Sequence, residues 1–307
     1  MDLKSKIILI SGPTASGKSK LAIDFAKKVN GEIINADSMQ VYKELKILTA
    51  RPIKENTNKI KHHLYGFQSV KNEFSTGQWL KLVKKKIKEI RNKNKIPILV
   101  GGTGLYFKAL TDGLVKIPKI PNTIRNKIRS KQQQMGQKKF YLKLLKLDKF
   151  VKNKIVSTDI QRSLRAYEVI YFTKKSIFEW YKKTKSKYKI NEFLKIYIDY
   201  PKEILVNKIS KRVDQMIKDG AVEEVQNFEK LNLKSDNNLY KVIGIREIKD
   251  FTHKKTSLKE MKLNIVIKTR QYAKRQRTWS RGQMRDWQKF DAEALSKFIK
   301  KIQKSSQ

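Results

Sequence analysis

The segment Gly12-Pro13-Thr14-Ala15-Ser16-Gly17-Lys18-Ser19 constrains this chain more than any other. It fits G-x-x-x-x-G-K-[ST] between an apolar run, Ile7 to Ile10, and a helical pattern that opens at Lys18. In that setting the glycines let the backbone curl, so that successive N–H groups point at phosphate oxygens beside the positive end of a helix dipole. Lys18 would bring a mobile charge to the phosphates, and the Ser19 hydroxyl a ligand for Mg²⁺. A strand, loop and helix joined in this way belong in a layered α/β fold.

The rest of the N-terminal third agrees. Residues 6–11, 32–36 and 96–100 read as strands, and 18–30, 77–93 and a stretch from Thr103 as helices, with Ser75 and Thr76 as a cap signal. The expected fold is α/β: a P-loop NTPase-like parallel sheet flanked by helices, with an inserted helical domain. The insertion spans 116–190, where strand signals fade and 22 Lys and Arg face only 4 Asp and Glu. Residues 1–115 and 191–307 form the expected core, with a strand at 193–199 and helices at 201–218, 221–231, 239–250 and 257–281.

The whole chain of 307 residues carries 71 Lys plus Arg against 28 Asp plus Glu, a formal net charge of +43. Such a surplus favours a polyanionic partner, because neutralised phosphates release condensed counterions. A lysine-rich host that solvates every surface with Lys is the bland alternative, but the charge is unevenly placed. There is no cysteine, and the histidines are His62, His63 and His253, which excludes disulfides, zinc fingers and cysteine nucleophiles. The run Ile7 to Ile10 is too short for a signal-peptide core or a membrane span, so no membrane association and a cytoplasmic location are expected.

Other segments offer chemistry of their own. A P-loop phosphotransferase usually has an apolar strand ending in Asp for Mg²⁺. Residues 96–100 end instead in Gly-Gly-Thr; the strand ending at Asp199 could serve, but it lies beyond the insertion before Tyr-Pro, and capping of the following helix is the favoured reading of Asp199. The loop could therefore hold any diphosphate. Asp37, within Asn35-Ala36-Asp37-Ser38-Met39-Gln40-Val41-Tyr42, follows a strand, where ligands bind in such sheets. Helix N-capping is its competing reading; Gln40, three residues on, could face the same ligand. In the insertion, Ile160, Leu164, Tyr167 and Tyr171 form a helical stripe read as buried, leaving Gln161 and Arg165 on another face, suited to base edges and phosphates or simply to solvent. Arg270, Lys274, Arg277 and Arg281 share a helical face that would make a phosphate track, while Ile265, Tyr272 and Trp279 form a docking stripe. His62 and His63 read as structural.

Assembled in order, these segments resemble a tRNA dimethylallyltransferase, the tRNA isopentenyltransferase family. The resemblance rests on the phosphate loop, Asp37 to Tyr42, Thr49-Ala50-Arg51-Pro52, His62-His63-Leu64, Gly101-Gly102-Thr103-Gly104-Leu105-Tyr106, Asp159-Ile160-Gln161-Arg162 and the helix from Arg270 to Arg281. It implies that the loop, Gly12 to Ser19, holds the diphosphate of dimethylallyl diphosphate together with Arg212. It also implies that the acceptor is N6 of the adenosine on the 3′ side of the anticodon. By matching motif, Asp37 is the implied general base, with Thr103 and Lys18 beside it. Ser38, Met39, Gln40, Arg125, Gln161, Arg162, Ser163, Leu164, Arg165, Arg270, Lys274 and Arg277 are the implied contacts to the tRNA anticodon stem-loop, and the insertion is the implied RNA-contacting domain. Gly104 reads as a position free to vary. Mg²⁺ is the implied cofactor and a monomer the expected state. The alternatives are a P-loop phosphotransferase (kinase) acting on a small molecule or RNA, and an RNA-binding protein without chemistry.

Overall fold

Five unbroken buried positions, Ile7–Ser11, make β1, and a strand with no polar alternation belongs inside a parallel sheet covered on both faces. The computed structural model describes residues 3, 5–52, 60–233, 237–291, 293–294 and 297–298. It places β1 in a six-stranded sheet with β2 (Gly31–Asn35), β3 (His62–His63), β4 (Ile96–Gly101), β5 (Phe193–Ile198) and β6 (Gln288–Phe290). The order is β3-β2-β4-β1-β5-β6, and every pairing is parallel. Ser11 pairs with Gly101 on one side and Tyr197 on the other, while Asn35 pairs with Val100. The segments after β1, β2, β4 and β5 therefore leave the sheet at one edge, the carboxyl edge where such sheets bind ligands.

Three helices join the first strands: α1 (Lys18–Lys28), α2 (Thr76–Arg91) and α3 (Gly104–Thr111). α1 lays Ala22, Phe25 and Ala26 on Ile8, Ile10, Ile33, Ile98 and Ile196. α2 begins at a reciprocal capping box between Ser75 and Gln78, which satisfies N–H groups that a helix start leaves open. Trp79 of α2 is fully buried. It stacks on Tyr106 at a centroid separation of 4.1 Å and donates Nε1–H to the Asn35 carbonyl at 2.9 Å. The indole thus fixes the last residue of β2, one step before Ala36 and Asp37.

The chain divides into two compact units, Met1–Thr111 with Tyr188–Gln307, and Asp112–Lys187. The second unit contains α4 (Asn122–Leu147), α5 (Ile160–Thr173) and α6 (Ile177–Lys182). Its core is built from Ile128, Phe140, Leu144, Val151, Leu164, Ala166, Tyr167 and Val169. The stripe expected along α5 is corrected here: Leu164 and Tyr167 are buried, but Ile160 and Tyr171 are each 41% exposed. They sit at the two ends of the helix, beyond the reach of the α4 residues that cover its middle.

The first unit closes with α7 (Lys202–Lys218), α8 (Ala221–Glu229), α9 (Ile245–Thr252) and α10 (Leu258–Gln283). The single helix expected at 239–250 is instead a 3₁₀ turn, Asn238–Lys241, and α9, broken at Gly244 with φ 105°. Asp199 does not cap α7. Pro201 holds the N-cap position without a side-chain bond, and the Asp199 carboxylate accepts the Tyr200 N–H and pairs with Arg277 at 3.5 Å. β3 and β6, two and three residues long, were not expected, since strands that short carry no period to read.

Candidate active site

The phosphate loop curls because Ala15 and Gly17 both have positive φ, 61° and 74°, the second at a position where glycine costs nothing. Gly17 is also the N-cap of α1 and supplies no side-chain bond, so the amides of the first turn have no cap to satisfy them. Ser16 is fully buried and its hydroxyl has no hydrogen-bond partner. A buried hydroxyl without a partner, next to the uncapped amides of the first turn of α1, fits an anion's oxygens.

Cations converge on the loop. Lys18 Nζ donates to the Pro13 carbonyl at 3.2 Å, and Arg212 of α7 donates Nη1–H to Thr14 Oγ1 at 3.2 Å. Burial pulls the Lys18 ammonium down to a pKa of about 8; Asp37 opposes that change and Arg212 adds to it. Burial also lowers Arg212, again opposed by Asp37. Two cations and one carboxylate thus share one small volume.

Asp37 is held rigidly. Its Oδ1 accepts the Met39 N–H at 2.9 Å, and its own N–H goes to Asn35 Oδ1 at 2.8 Å. Asn35, fully buried, donates Nδ2–H to the carbonyls of Asp37 at 2.9 Å and Leu64 at 3.0 Å. No helix follows, so the N-cap reading of Asp37 is replaced by an Asx turn. Oδ2 is left facing Gly102. Thr103 Oγ1 accepts the Ser38 N–H at 2.9 Å and donates to Ser38 Oγ at 3.2 Å, stitching the β2 and β4 ends together.

Beyond Asp37 lies a cavity of about 380 Å³. Met39, Leu48, Ile209, Val213, Met216, Val242, Ile243 and Ile265 give it apolar walls, while Thr14, Asp37, Ser38, Arg212, Lys241 and Arg275 line its polar side. An apolar chamber with a cation at one wall and a fixed carboxylate nearby suits an amphiphilic anion.

Gln40 is corrected: its amide donates to the carbonyls of Thr49 and Ala50 at 2.8 and 3.2 Å and so braces the loop rather than joining Asp37 on a ligand. Gly104 is not free to vary, because a β-carbon there would fall 2.2 Å from the Trp279 ring. His62 and His63 lie in β3, and His63 Nε2 meets the buried Glu32 carboxylate at 2.7 Å. Among the described residues no group of three or more His, Cys, Asp and Glu could hold a metal ion.

On α10, Arg270, Lys274 and Arg281 are exposed, but Arg277 is half-buried against Asp199. In the second unit Gln161, Arg162 and Arg165 are exposed. Ser163 and Leu164 are buried, which corrects the expectation that they contact RNA. The Ser163 hydroxyl donates to the Asp159 carbonyl and accepts from Gln137 of α4 at 3.2 Å, and Leu164 belongs to the core, so both are turned toward α4. Arg125 and Arg165 both approach the buried Glu168, at 3.7 and 3.4 Å. Sequence reasoning missed Asn35, Arg275 and Gln276, and it assigned Tyr272 to packing alone. The signal available was a polar Gln276 set between Tyr272 and Trp279 on the docking side of α10.

A family model described as IPP transferase matches residues 40–283. The tRNA dimethylallyltransferase of Pelagibacter ubique (strain HTCC1062) is 56% identical over 306 residues, covering 100% of this chain and 98% of the relative. That of Agrobacterium fabrum (strain C58) is 40% identical over 287 residues, 93% of this chain and 96% of the relative. Among solved structures, a eukaryotic dimethylallyltransferase acting on tRNA matches with a TM-score of 0.81 at 30% identity, covering 95% of this chain and 75% of that one. A full-length tRNA isopentenylpyrophosphate transferase from Bacillus halodurans matches with a TM-score of 0.69 at 29% identity, over 98% and 95%.

Proposed function

The chain belongs to the IPP transferase family of tRNA dimethylallyltransferases, and from that premise we propose how its residues carry out prenyl transfer to tRNA. The single observation that carries the proposal is that Asp37 and Arg212, both coupled electrostatically to Lys18 of the phosphate loop, line a largely apolar cavity. The diphosphate of dimethylallyl diphosphate sits on the Gly12 to Ser19 loop, against the Ser16 hydroxyl, Lys18 and Arg212. Its five-carbon group enters the apolar chamber.

The acceptor is N6 of the adenosine 3′ to the anticodon, taken out of its stack to reach the cavity. Its nitrogen lone pair forms a bond to C1 of the donor as the C1–O bond breaks and diphosphate leaves with the electron pair. The amine proton passes to Asp37. An exocyclic adenine amine is a poor nucleophile, because its lone pair is delocalised into the ring, so a carboxylate held ready to accept the proton helps. Lys18, Arg212 and the loop amides take up the charge that develops on the leaving group. The Asx turn supports this role for Asp37, since it occupies Oδ1 and leaves Oδ2 toward Gly102.

Mg²⁺ fits as a partner of the diphosphate. Ser19, the second residue of α1 after Lys18, is exposed and offers a hydroxyl, and a hard cation there would take its remaining ligands from phosphate oxygens and water. When bound, the ion would neutralise charge on the departing diphosphate. The exposed Gln161, Arg162 and Arg165, with Arg125, give the second unit its contacts to the anticodon stem-loop, and Arg270 and Lys274 give the first unit a phosphate track. Action as a monomer belongs to the same reading. No described helix is long and apolar enough to cross a membrane, and a tRNA substrate suits a cytoplasmic enzyme.

Nuclease digestion of tRNA incubated with the protein and labelled donor tests the acceptor assignment. Label recovered as N6-dimethylallyl adenosine next to the anticodon is expected; label on another nucleoside or on the ribose contradicts it.

A further inference from the structure

We propose that Tyr272 is the partition between the donor and the acceptor base, and that it keeps water from the reacting carbon, an inference that rests on the donor occupying the apolar cavity. Tyr272 lines two cavities. One is the 380 Å³ chamber described above. The other, of about 240 Å³, is lined by Gly12, Gly102, Thr103, Tyr197 and Trp279. Ser38 and Arg275 are the other residues common to both. The tyrosine ring is therefore the apolar part of the shared wall.

The ring is carried on a segment fixed at two points. One turn along α10, Gln276 Oε1 accepts the Thr14 N–H at 2.8 Å, and its Nε2–H donates to the Gly102 carbonyl at 3.1 Å. One side chain thereby ties α10 to the phosphate loop and to the turn that carries Thr103. The Arg275 guanidinium lies 5.8 Å from the ring centroid, a cation–π contact that helps to hold the ring in place. Burial, with the Asp37 carboxylate, raises the phenol pKa, so Tyr272 stays neutral and does not compete with Asp37 for the proton.

The chemistry requires such a wall. As the C1–O bond of an allylic diphosphate breaks, C1 becomes electron-poor and water competes with the amine. In the side reaction a water oxygen bonds C1, diphosphate departs with the electron pair, and the water proton goes to solvent; the product is the allylic alcohol. The aliphatic walls exclude water on one side of C1. Beside the opening through which N6 reaches C1, a flat aromatic ring narrows the chamber and offers a face on which the incoming purine stacks.

The readout is the ratio of diphosphate released to prenyl group recovered in tRNA, measured on the full-length protein. Wild type gives one diphosphate per transfer. Tyr272→Ala opens the wall, and the ratio rises by at least about twofold with dimethylallyl alcohol as the extra product. Tyr272→Leu, apolar and shorter, moves it the same way, and serves if the alanine variant does not fold. Tyr272→Phe keeps the wall and the ratio of one. A ratio of one in folded Tyr272→Ala and Tyr272→Leu overturns the proposal, even if both are slow. So does a Tyr272→Phe variant as uncoupled as Tyr272→Ala, which would assign the effect to the hydroxyl. Failure of the wild type to prenylate tRNA would overturn the proposed function itself and is read separately.

Discussion

Lys18 holds its charge in a place that already contains Arg212, and burial has brought its pKa to about 8. A bound diphosphate favours the charged form and raises that value again. Between about pH 8 and the raised value, donor binding therefore takes up a proton, and affinity falls as the pH rises through 8. Calorimetry at pH 9 in two buffers of different ionisation enthalpy checks this; binding heats that do not depend on the buffer would contradict it. Lys18→Ala is expected to lower kcat by the equivalent of about 2.7–4 kcal/mol while leaving tRNA affinity in place, because the loss falls on the leaving group. Asp37→Asn keeps the Asx turn, since an amide oxygen can accept the Met39 N–H, and so keeps the melting temperature. It cannot take the proton, and single-turnover transfer with bound tRNA should slow by about 10²–10⁴-fold. A wild-type single-turnover rate would remove Asp37 from the chemistry. Asp37 and Thr103 were readable as candidates because each follows the end of a strand, and Lys18 because it stands in the phosphate-loop motif at the start of α1. Gln40 misled because spacing says nothing about the carbonyls of Thr49 and Ala50 that claim its amide. Gln276 was invisible because its partners, Thr14 and Gly102, lie far away in sequence.

Helix α10 has two unlike faces, one cationic and one packed on the core unit, and the sequence showed them unequally. The cationic stripe could be read from spacing, yet Arg277 has withdrawn from it to pair with Asp199 at 3.5 Å. Neutralising the two exposed members, Arg270→Gln with Lys274→Gln, should flatten the slope of log K for tRNA against log salt by roughly 1.4–1.8. An unchanged slope would make the stripe a solvated face. The opposite face packs Trp279 over Gly104 so closely that a β-carbon must displace the ring. Gly104→Ala is expected to cost about 1–3 kcal/mol of stability, as overpacking does, seen as a lower midpoint in denaturant. A wild-type midpoint would mean that the indole moves aside freely. The main strands and helices were readable because their apolar periods run for five residues or more. The break at Gly244 and the edge strands β3 and β6 were not, since long-range pairing and one glycine torsion decide them.

Two units divide the labour in this chain: one holds the sheet, the phosphate loop and the cavity, and the other is a helical unit with its own core. The helical unit's strongly basic composition and the net charge of +43 fit a polyanionic substrate. A phosphate loop alone would equally suit a nucleotide. What favours the diphosphate reading is the chamber beside Asp37, whose largely apolar walls suit a five-carbon chain. Purified protein, unmodified tRNA, Mg²⁺ and dimethylallyl diphosphate labelled in its carbon chain, with ATP left out, put that distinction to the test. Label should enter tRNA over many turnovers, with one diphosphate released for each group transferred and no gain in rate when ATP is added; transfer that requires ATP, or tRNA that stays unlabelled while ATP is consumed, would contradict the account.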